Sequence, residues 1–145
     1  MKFRLETIIN KPRAEVWNFF DNPENLSKWQ PSLIHVENLS GTPRQVGAVS
    51  KLTYKEGERE FSLTEKIIQH DGPNSFDALY ENDFADNVVK NKFSEQGKTQ
   101  TLWVIETEYR FKTLVMKIAG NLMKKNYVKR TQREMERFKE MTERL

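Results

Sequence analysis

Residues 114–145 carry one recurring stripe of mostly apolar side chains. Val115, Ile118, Ala119, Leu122, Met123, Tyr127, Thr131, Met135, Phe138, Thr142 and Leu145 follow one another mostly at three- and four-residue steps. That is the helical period. The positions between them are dominated by Lys, Arg and Glu. A helix over the whole stretch would be roughly 48 Å long at 1.5 Å per residue. So long a one-sided helix needs a surface on which to bury its stripe. Gly120 is its weak point, costing about 1 kcal/mol relative to alanine. A division into a short first and a longer second segment would fall there.

The remainder of the chain alternates mainly at period two. In residues 2–10, Phe3, Leu5, Thr7 and Ile9 share one face and Lys2, Arg4 and Glu6 the other, which predicts a strand. Pro12 suits the first turn of a short helix with Val16, Trp17, Phe19 and Phe20 on its apolar side. Asn22 and Pro23 then cap and open a second short helix over 24–29, bearing Leu26 and Trp29. Six strands follow, at 32–40, 46–55, 59–69, 75–81, 84–95 and 98–112. The turns between them carry Gly41, Pro43 and Gly47; Gly57; Asp71, Gly72, Pro73 and Asn74; Asn82 and Asp83; and Gly97.

Consecutive hairpins imply an antiparallel meander whose apolar face must be covered. The C-terminal helix is the only element large enough to cover it. The expected fold is therefore α+β: a curved antiparallel sheet of about seven strands around a long C-terminal helix, with two short helices after the first strand. Residues 1–145 are expected to form a single domain.

Several local sequences carry a resemblance. They are Ile8-Ile9, then Lys11-Pro12-Arg13-Ala14-Glu15-Val16-Trp17, then Asn22-Pro23-Glu24-Asn25-Leu26 with Trp29 and Pro31, and Val46-Gly47-Ala48. Thr101, Trp103 and Glu108-Tyr109-Arg110-Phe111-Lys112 follow before the long helix. In this order and spacing the chain resembles, over essentially its full length, the START-related, pollen-allergen-like SRPBCC superfamily, most closely its polyketide cyclase/dehydrase and lipid-transport branch. The resemblance implies a helix-grip fold with a cavity between sheet and C-terminal helix, often holding a hydrophobic ligand. It does not imply one activity, because members include carriers, receptors, cyclases and chaperone activators.

Composition narrows the chemistry. Lys plus Arg number 24 against 21 Asp plus Glu, an excess too small to mark a nucleic-acid binder. Cysteine is absent, which excludes disulfides and thiolate catalysis and is compatible with a cytoplasmic protein. No apolar run of about eighteen residues exists, so no integral membrane association is expected. The first ten residues lack the apolar block of a signal peptide. With two histidines and no H-x-x-x-H or H-E-x-x-H spacing, no metal site is expected. Phosphate-loop, dinucleotide and hydrolase-elbow motifs are absent too, so no cofactor is expected. The basic group Lys124, Lys125, Lys129, Arg130 and Arg133 is followed closely by Glu134, Glu136, Glu140 and Glu143, and reads as a solvated helix face.

The aromatic content points to a binding cavity. Trp29, Phe61, Phe76, Tyr80, Trp103, Tyr109 and Tyr127 fall on faces able to line it, together with Leu63, Ile105, Thr131 and Met135. The competing expectation is that these rings fill the interior completely. Glu65 shares its strand face with Phe61, Leu63 and Ile67, so strict alternation turns it inward. Burial would raise its pKa and fit it for proton transfer. A one-residue slip of register would instead turn it to water. His35 and His70 read as rim or surface residues, with His35 the weaker candidate base beside Glu65.

The expected function is binding of a hydrophobic or amphipathic small molecule, or a lipid, for carriage or sensing. The alternative is a polyketide cyclase/dehydratase-like enzyme using Glu65 or a histidine, and Glu65 or His35 in a closed pocket with a perturbed pKa would favour it. A protein-interaction module acting through its outer surface is a third possibility.

Overall fold

The computed structural model describes residues 1–145. Strand β1 (Lys2–Ile9) leads through α1 (Arg13–Asp21), a 3-10 turn (Pro23–Asn25) and α2 (Leu26–Trp29) to a run of six strands. These are β2 (Leu33–Ser40), β3 (Val49–Glu56), β4 (Arg59–Asp71), β5 (Ser75–Glu81), β6 (Ala85–Glu95) and β7 (Thr101–Phe111). Helices α3 (Leu114–Leu122) and α4 (Lys124–Glu143) complete the chain. All seven strands form one antiparallel sheet in the order β1-β7-β6-β5-β4-β3-β2. The sheet is curved and grips the C-terminal helix, which is the helix-grip architecture. The meander β2 to β7 is built from adjacent hairpins, and β1 returns to pair with β7. No helix is long and apolar enough to cross a membrane.

Local chemistry explains the element boundaries. The Asn22 side chain accepts from the Glu24 N–H at 3.0 Å and Pro23 sits in the first turn, so the cap falls where the sequence places it, but the expected single helix over 24–29 divides into a 3-10 turn and an α2 that begins at Leu26. Two strands begin three residues later than their alternation suggests, because turns intrude. Gly47, at φ 88°, lies in the loop ahead of β3, and Gly97, at φ 78°, closes the hairpin ahead of β7.

The core is an aromatic cluster. The Phe20 ring lies 4.9–6.2 Å, centroid to centroid, from the rings of Trp17, Trp29, Phe76, Phe93, Trp103 and Phe138. Phe138 of α4 is fully enclosed and also meets Phe19, Trp29 and Trp103. Indole N–H groups in such a core need partners. Trp103 donates to Asn91 at 3.1 Å, and Asn91 donates to the Phe76 carbonyl at 3.1 Å. The C-terminal end of α4 is tied to the start of the chain by polar contacts. Lys139 donates to the Ile8 carbonyl, and the Asn10 N–H donates to Glu143 at 2.8 Å.

The C-terminal stretch is two helices, divided at Met123 rather than at Gly120. Met123 has φ −93° and ψ 4°, and its N–H reaches the carbonyls of both Ala119 and Gly120 at 3.1 Å. Gly120 serves close packing: a Cβ there would stand 2.1 Å from the Phe111 ring of β7. The division also corrects the expected burial stripe. Val115, Ile118, Leu122 and Met123 are exposed, and the side of α3 turned to the protein carries Met116, Ala119 and Gly120. Once the helix is broken, the face α3 buries is no longer obliged to continue the face α4 buries. What α3 lays against Phe111 of β7 is the bare backbone of Gly120, which admits the ring.

Because Phe138 is enclosed by four aromatic neighbours, Phe138→Ala is expected to destabilise the protein by about 3–5 kcal/mol, the usual cost of truncating a buried ring. Urea unfolding monitored by circular dichroism measures it; a loss below about 1 kcal/mol would mean that α4 is not anchored there.

Candidate functional site

The aromatic cluster fills only the part of the hollow beneath the C-terminal half of α4. Beneath the N-terminal half lies a pocket of about 240 Å³. Strands β3 to β7 supply most of its wall, with Tyr54, Phe61, Leu63, Glu65, Tyr80, Asn87, Ile105, Thr107 and Tyr109 among the lining residues. Helix α4 contributes Tyr127, Arg130, Thr131 and Glu134, and the segment between β1 and β3 contributes Phe20, Leu26, Trp29 and Arg44. Of the residues proposed from sequence, Trp29, Phe61, Leu63, Phe76, Tyr80, Ile105, Tyr109, Tyr127 and Thr131 lie in this lining. Trp103 and Met135 do not. Both are packed into the solid cluster, Trp103 with no exposed surface. Alternation assigns a side chain to a face of the sheet, but not to the filled or the open end of that face.

Glu65 faces inward and is 9 % exposed. The bulge in the β4–β5 ladder lies between Ile67 and Gln69, beyond Glu65, so the alternation through Phe61, Leu63, Glu65 and Ile67 holds. Glu65 is the register partner of Tyr80 on β5 and of Ser50 on β3. Burial pushes its pKa above the ordinary carboxylate value, while the Tyr80 hydroxyl and the Arg44 guanidinium pull it back. Burial and the neighbouring Glu65 push the Tyr80 phenol upward in turn. The pocket therefore brings a carboxyl and a phenol together in a poorly solvated place.

Glu134 is the second acidic group of the lining. Burial raises its pKa to about 7, against the opposing pull of Arg130 and Arg137. The helical period could have found it: Tyr127, Thr131, Glu134 and Phe138 are themselves three- and four-residue steps. Its charge places it with the polar residues when the stripe is chosen by hydropathy alone.

Arg44 had no sequence signal of comparable strength. It lies in the loop ahead of β3 with φ 70°, a left-handed conformation uncommon for a side-chain-bearing residue. Its guanidinium stands 4.4 Å from the Phe76 ring centre and pairs with Asp21 at 3.1 Å. Asp21 also meets His70 Nε2 at 2.8 Å. His70 thus belongs to the group that holds Arg44 and lies outside the lining. His35 is exposed on the edge strand β2, away from the pocket, which removes it as a candidate base.

Part of the remaining polar lining is tied to the protein. Thr107 donates to Asn87 at 2.6 Å, Thr131 to the Tyr127 carbonyl at 3.1 Å, and Tyr54 to Gln30 at 3.3 Å. Trp29 Nε1 and Arg44 Nε are buried and meet no hydrogen-bond partner in the protein.

Residues 1–143 match the family described as polyketide cyclase/dehydrase and lipid transport, and the chain belongs to it. No functionally curated sequence matches. Among solved structures the chain is similar to Ara h 8.0201, with TM-score 0.76 and 16 % identity, covering 98 % of this chain and 97 % of that one. It is similar also to the Zhui aromatase/cyclase of a Streptomyces species, with TM-score 0.77 and 10 % identity over 99 % and 94 % of the two chains. Norcoclaurine synthase from Thalictrum flavum, solved with dopamine and hydroxybenzaldehyde, gives TM-score 0.72 and 16 % identity over 97 % and 85 %. At these identities the likeness is one of fold.

The Glu134 shift has a stability consequence. Between the ordinary value of 4.5 and about 7, the folded protein keeps a proton that the unfolded chain has released. Stability therefore falls as pH rises through that window. Glu134→Gln, which cannot ionise, is expected to leave stability at pH 4 nearly unchanged and to raise it at pH 8 by on the order of 2 kcal/mol relative to the parent. Thermal unfolding of both proteins from pH 4 to 8 measures the difference; parallel curves would place Glu134 in water.

Proposed function

We propose that this protein binds a small hydrophobic or amphipathic molecule in the pocket between the sheet and α4, as a carrier or sensor. The observation that carries the reading is the mainly apolar, aromatic-rich wall of the pocket, into which Glu65 and Glu134 bring two carboxyl groups. At about 240 Å³ the pocket is smaller than the roughly 300–1,000 Å³ of sites for drug-sized ligands. A compact ring compound or a short amphipath suits it better than a whole membrane lipid. The ligand expected is apolar over most of its surface, with a polar group toward Glu65 and Tyr80.

A second reading rests on Glu65. A carboxyl with a raised pKa beside a phenol, in a poorly solvated pocket, is equipped to move a proton in a cyclisation or dehydration. Membership of the polyketide cyclase/dehydrase and lipid transport family, and the aromatase/cyclase among the similar folds, make a polyketide-like substrate the natural class for it. Binding is common to both readings; turnover separates them.

Screening lipids, aromatic metabolites and poly-ketone mimics by thermal shift and tryptophan fluorescence tests both. The expected result is a stabilising ligand that alters the emission of the parent protein, with most of that change lost in Trp29→Phe, since Trp17 and Trp103 lie outside the lining. A flat response across the panel, together with a native mass spectrum free of retained ligand, would refute binding. Glu65→Gln decides the chemistry: a binder keeps its ligand within about tenfold in affinity, whereas an enzyme binds but loses turnover by about a hundredfold or more.

A further inference from the structure

Helix α3 is apolar on the wrong side. Leu114, Val115, Ile118 and Leu122 are 72 %, 76 %, 56 % and 82 % exposed. At about 100° per residue these four side chains fall within an arc of roughly 100°. Met116, Ala119 and Gly120, which are turned to the protein, lie on the opposite side of the helix. A stripe of large aliphatic side chains therefore projects away from the body of the molecule. The helix is held in this orientation from both ends and from below. Thr113 caps it by accepting the Met116 N–H at 3.1 Å, Phe111 packs on Gly120, and the Met123 turn joins it to α4.

The charge around the stripe is as one-sided as the stripe. Residues 109–133 hold eight Lys or Arg and no Asp or Glu, leaving sixteen basic against 21 acidic residues elsewhere in the chain. Three of the eight, Arg110, Lys112 and Arg130, pair with Glu108, Asp86 and Glu56. Lys117, Lys124, Lys125, Lys129 and Arg133 are exposed and make no ion pair. The basic group that reads in sequence as a plain solvated face thus borders an exposed apolar helix.

We propose that α3 is an interfacial docking helix that lays Leu114, Val115, Ile118 and Leu122 into the headgroup region of an anionic lipid bilayer, with Lys117, Lys124 and Lys125 on the lipid phosphates. A helix of this kind binds by buried apolar area together with attraction to anionic lipid. Nucleic acid would satisfy the lysines but leave the aliphatic side chains without a counterpart. A second copy of the chain would bring two lysine-rimmed stripes together. Four side chains of one short helix also fall well below the roughly 800 Å² per partner of a stable interface. The docking surface does not involve the pocket lining, so the proposal stands whether or not the pocket takes a guest.

Vesicle flotation tests it with the whole protein. Binding to phosphatidylcholine vesicles containing about one-third phosphatidylglycerol is expected to exceed binding to pure phosphatidylcholine by at least about tenfold, and to weaken several-fold in about 0.5 M salt. The double variant I118E/L122E is expected to lose vesicle binding by at least about tenfold with an unchanged melting temperature, both sites being exposed. The triple variant K117E/K124E/K125E should lose the preference for anionic lipid. The chain has no cysteine, so Leu122→Cys labelled with bimane reports insertion directly, by a blue shift on anionic vesicles only. Absent binding, equal binding to both vesicle types, or I118E/L122E binding like the parent would overturn the proposal. A concentration-dependent dimer broken by I118E/L122E would overturn it as well, by assigning the stripe to a second copy.

Discussion

The insertion of Phe138 among Phe19, Phe20, Trp29 and Trp103 is the contact on which this structure depends. It joins three parts of the chain that are remote in sequence: α1 and α2, strand β7, and the last turns of α4. Protein interiors are packed as densely as organic crystals, so large side chains gathered at one place leave less volume to fill elsewhere. Here all three tryptophans and five of the nine phenylalanines gather at one end of the hollow of the sheet. The ties from Lys139 to Ile8 and from Asn10 to Glu143 secure the same end. The helix is thus clamped near its C-terminus and spans the pocket with its other half.

The electrostatics of the pocket follow from that asymmetry. Rings alone would close the open end as a dry void. Instead the chain lines it with two carboxyl groups, several tyrosines and two arginines. A carboxylate loses hydration there, and burial is the largest cause of the shift at both Glu65 and Glu134. Each is eased by an arginine that is itself held elsewhere: Arg44 by Asp21, and Arg130 by Glu56. Arg44 keeps a left-handed backbone conformation while doing so. Backbone of this kind persists where the surroundings over-determine it, and such positions concentrate at functional sites.

The pocket and the outer face of α3 lie on either side of Phe111. Phe111 stacks on Tyr109, and Tyr109 stacks on Tyr127, both in the pocket lining. Phe111 is also the ring on which Gly120 rests. One strand end therefore supports both the wall of the pocket and the helix that presents the apolar stripe.

Periodicity alone made most of the architecture legible. Period two along β4 and β7, the cap at Asn22, the turn glycines and the long helical stripe specified seven strands and the order of helices, because these are local properties of the backbone and its immediate neighbours. Alternation through Phe61, Leu63, Glu65 and Ile67 offered an inward Glu65 beside a register slip that would turn it to water, and the ladder, regular as far as Ile67, chose between them. Three things were decided only in three dimensions. Trp103 and Met135 share faces with pocket residues yet lie in the filled end, since position along a face depends on which large side chains from other elements arrive there. Arg44 reaches the pocket because its own loop, remote from Phe76 in sequence, folds against that ring. The burial of α3 is reversed from what its pattern suggests, because the turn at Met123 frees it from the register of α4. Short-range order is written in spacing; the allocation of volume and solvent among distant elements is settled only when they pack.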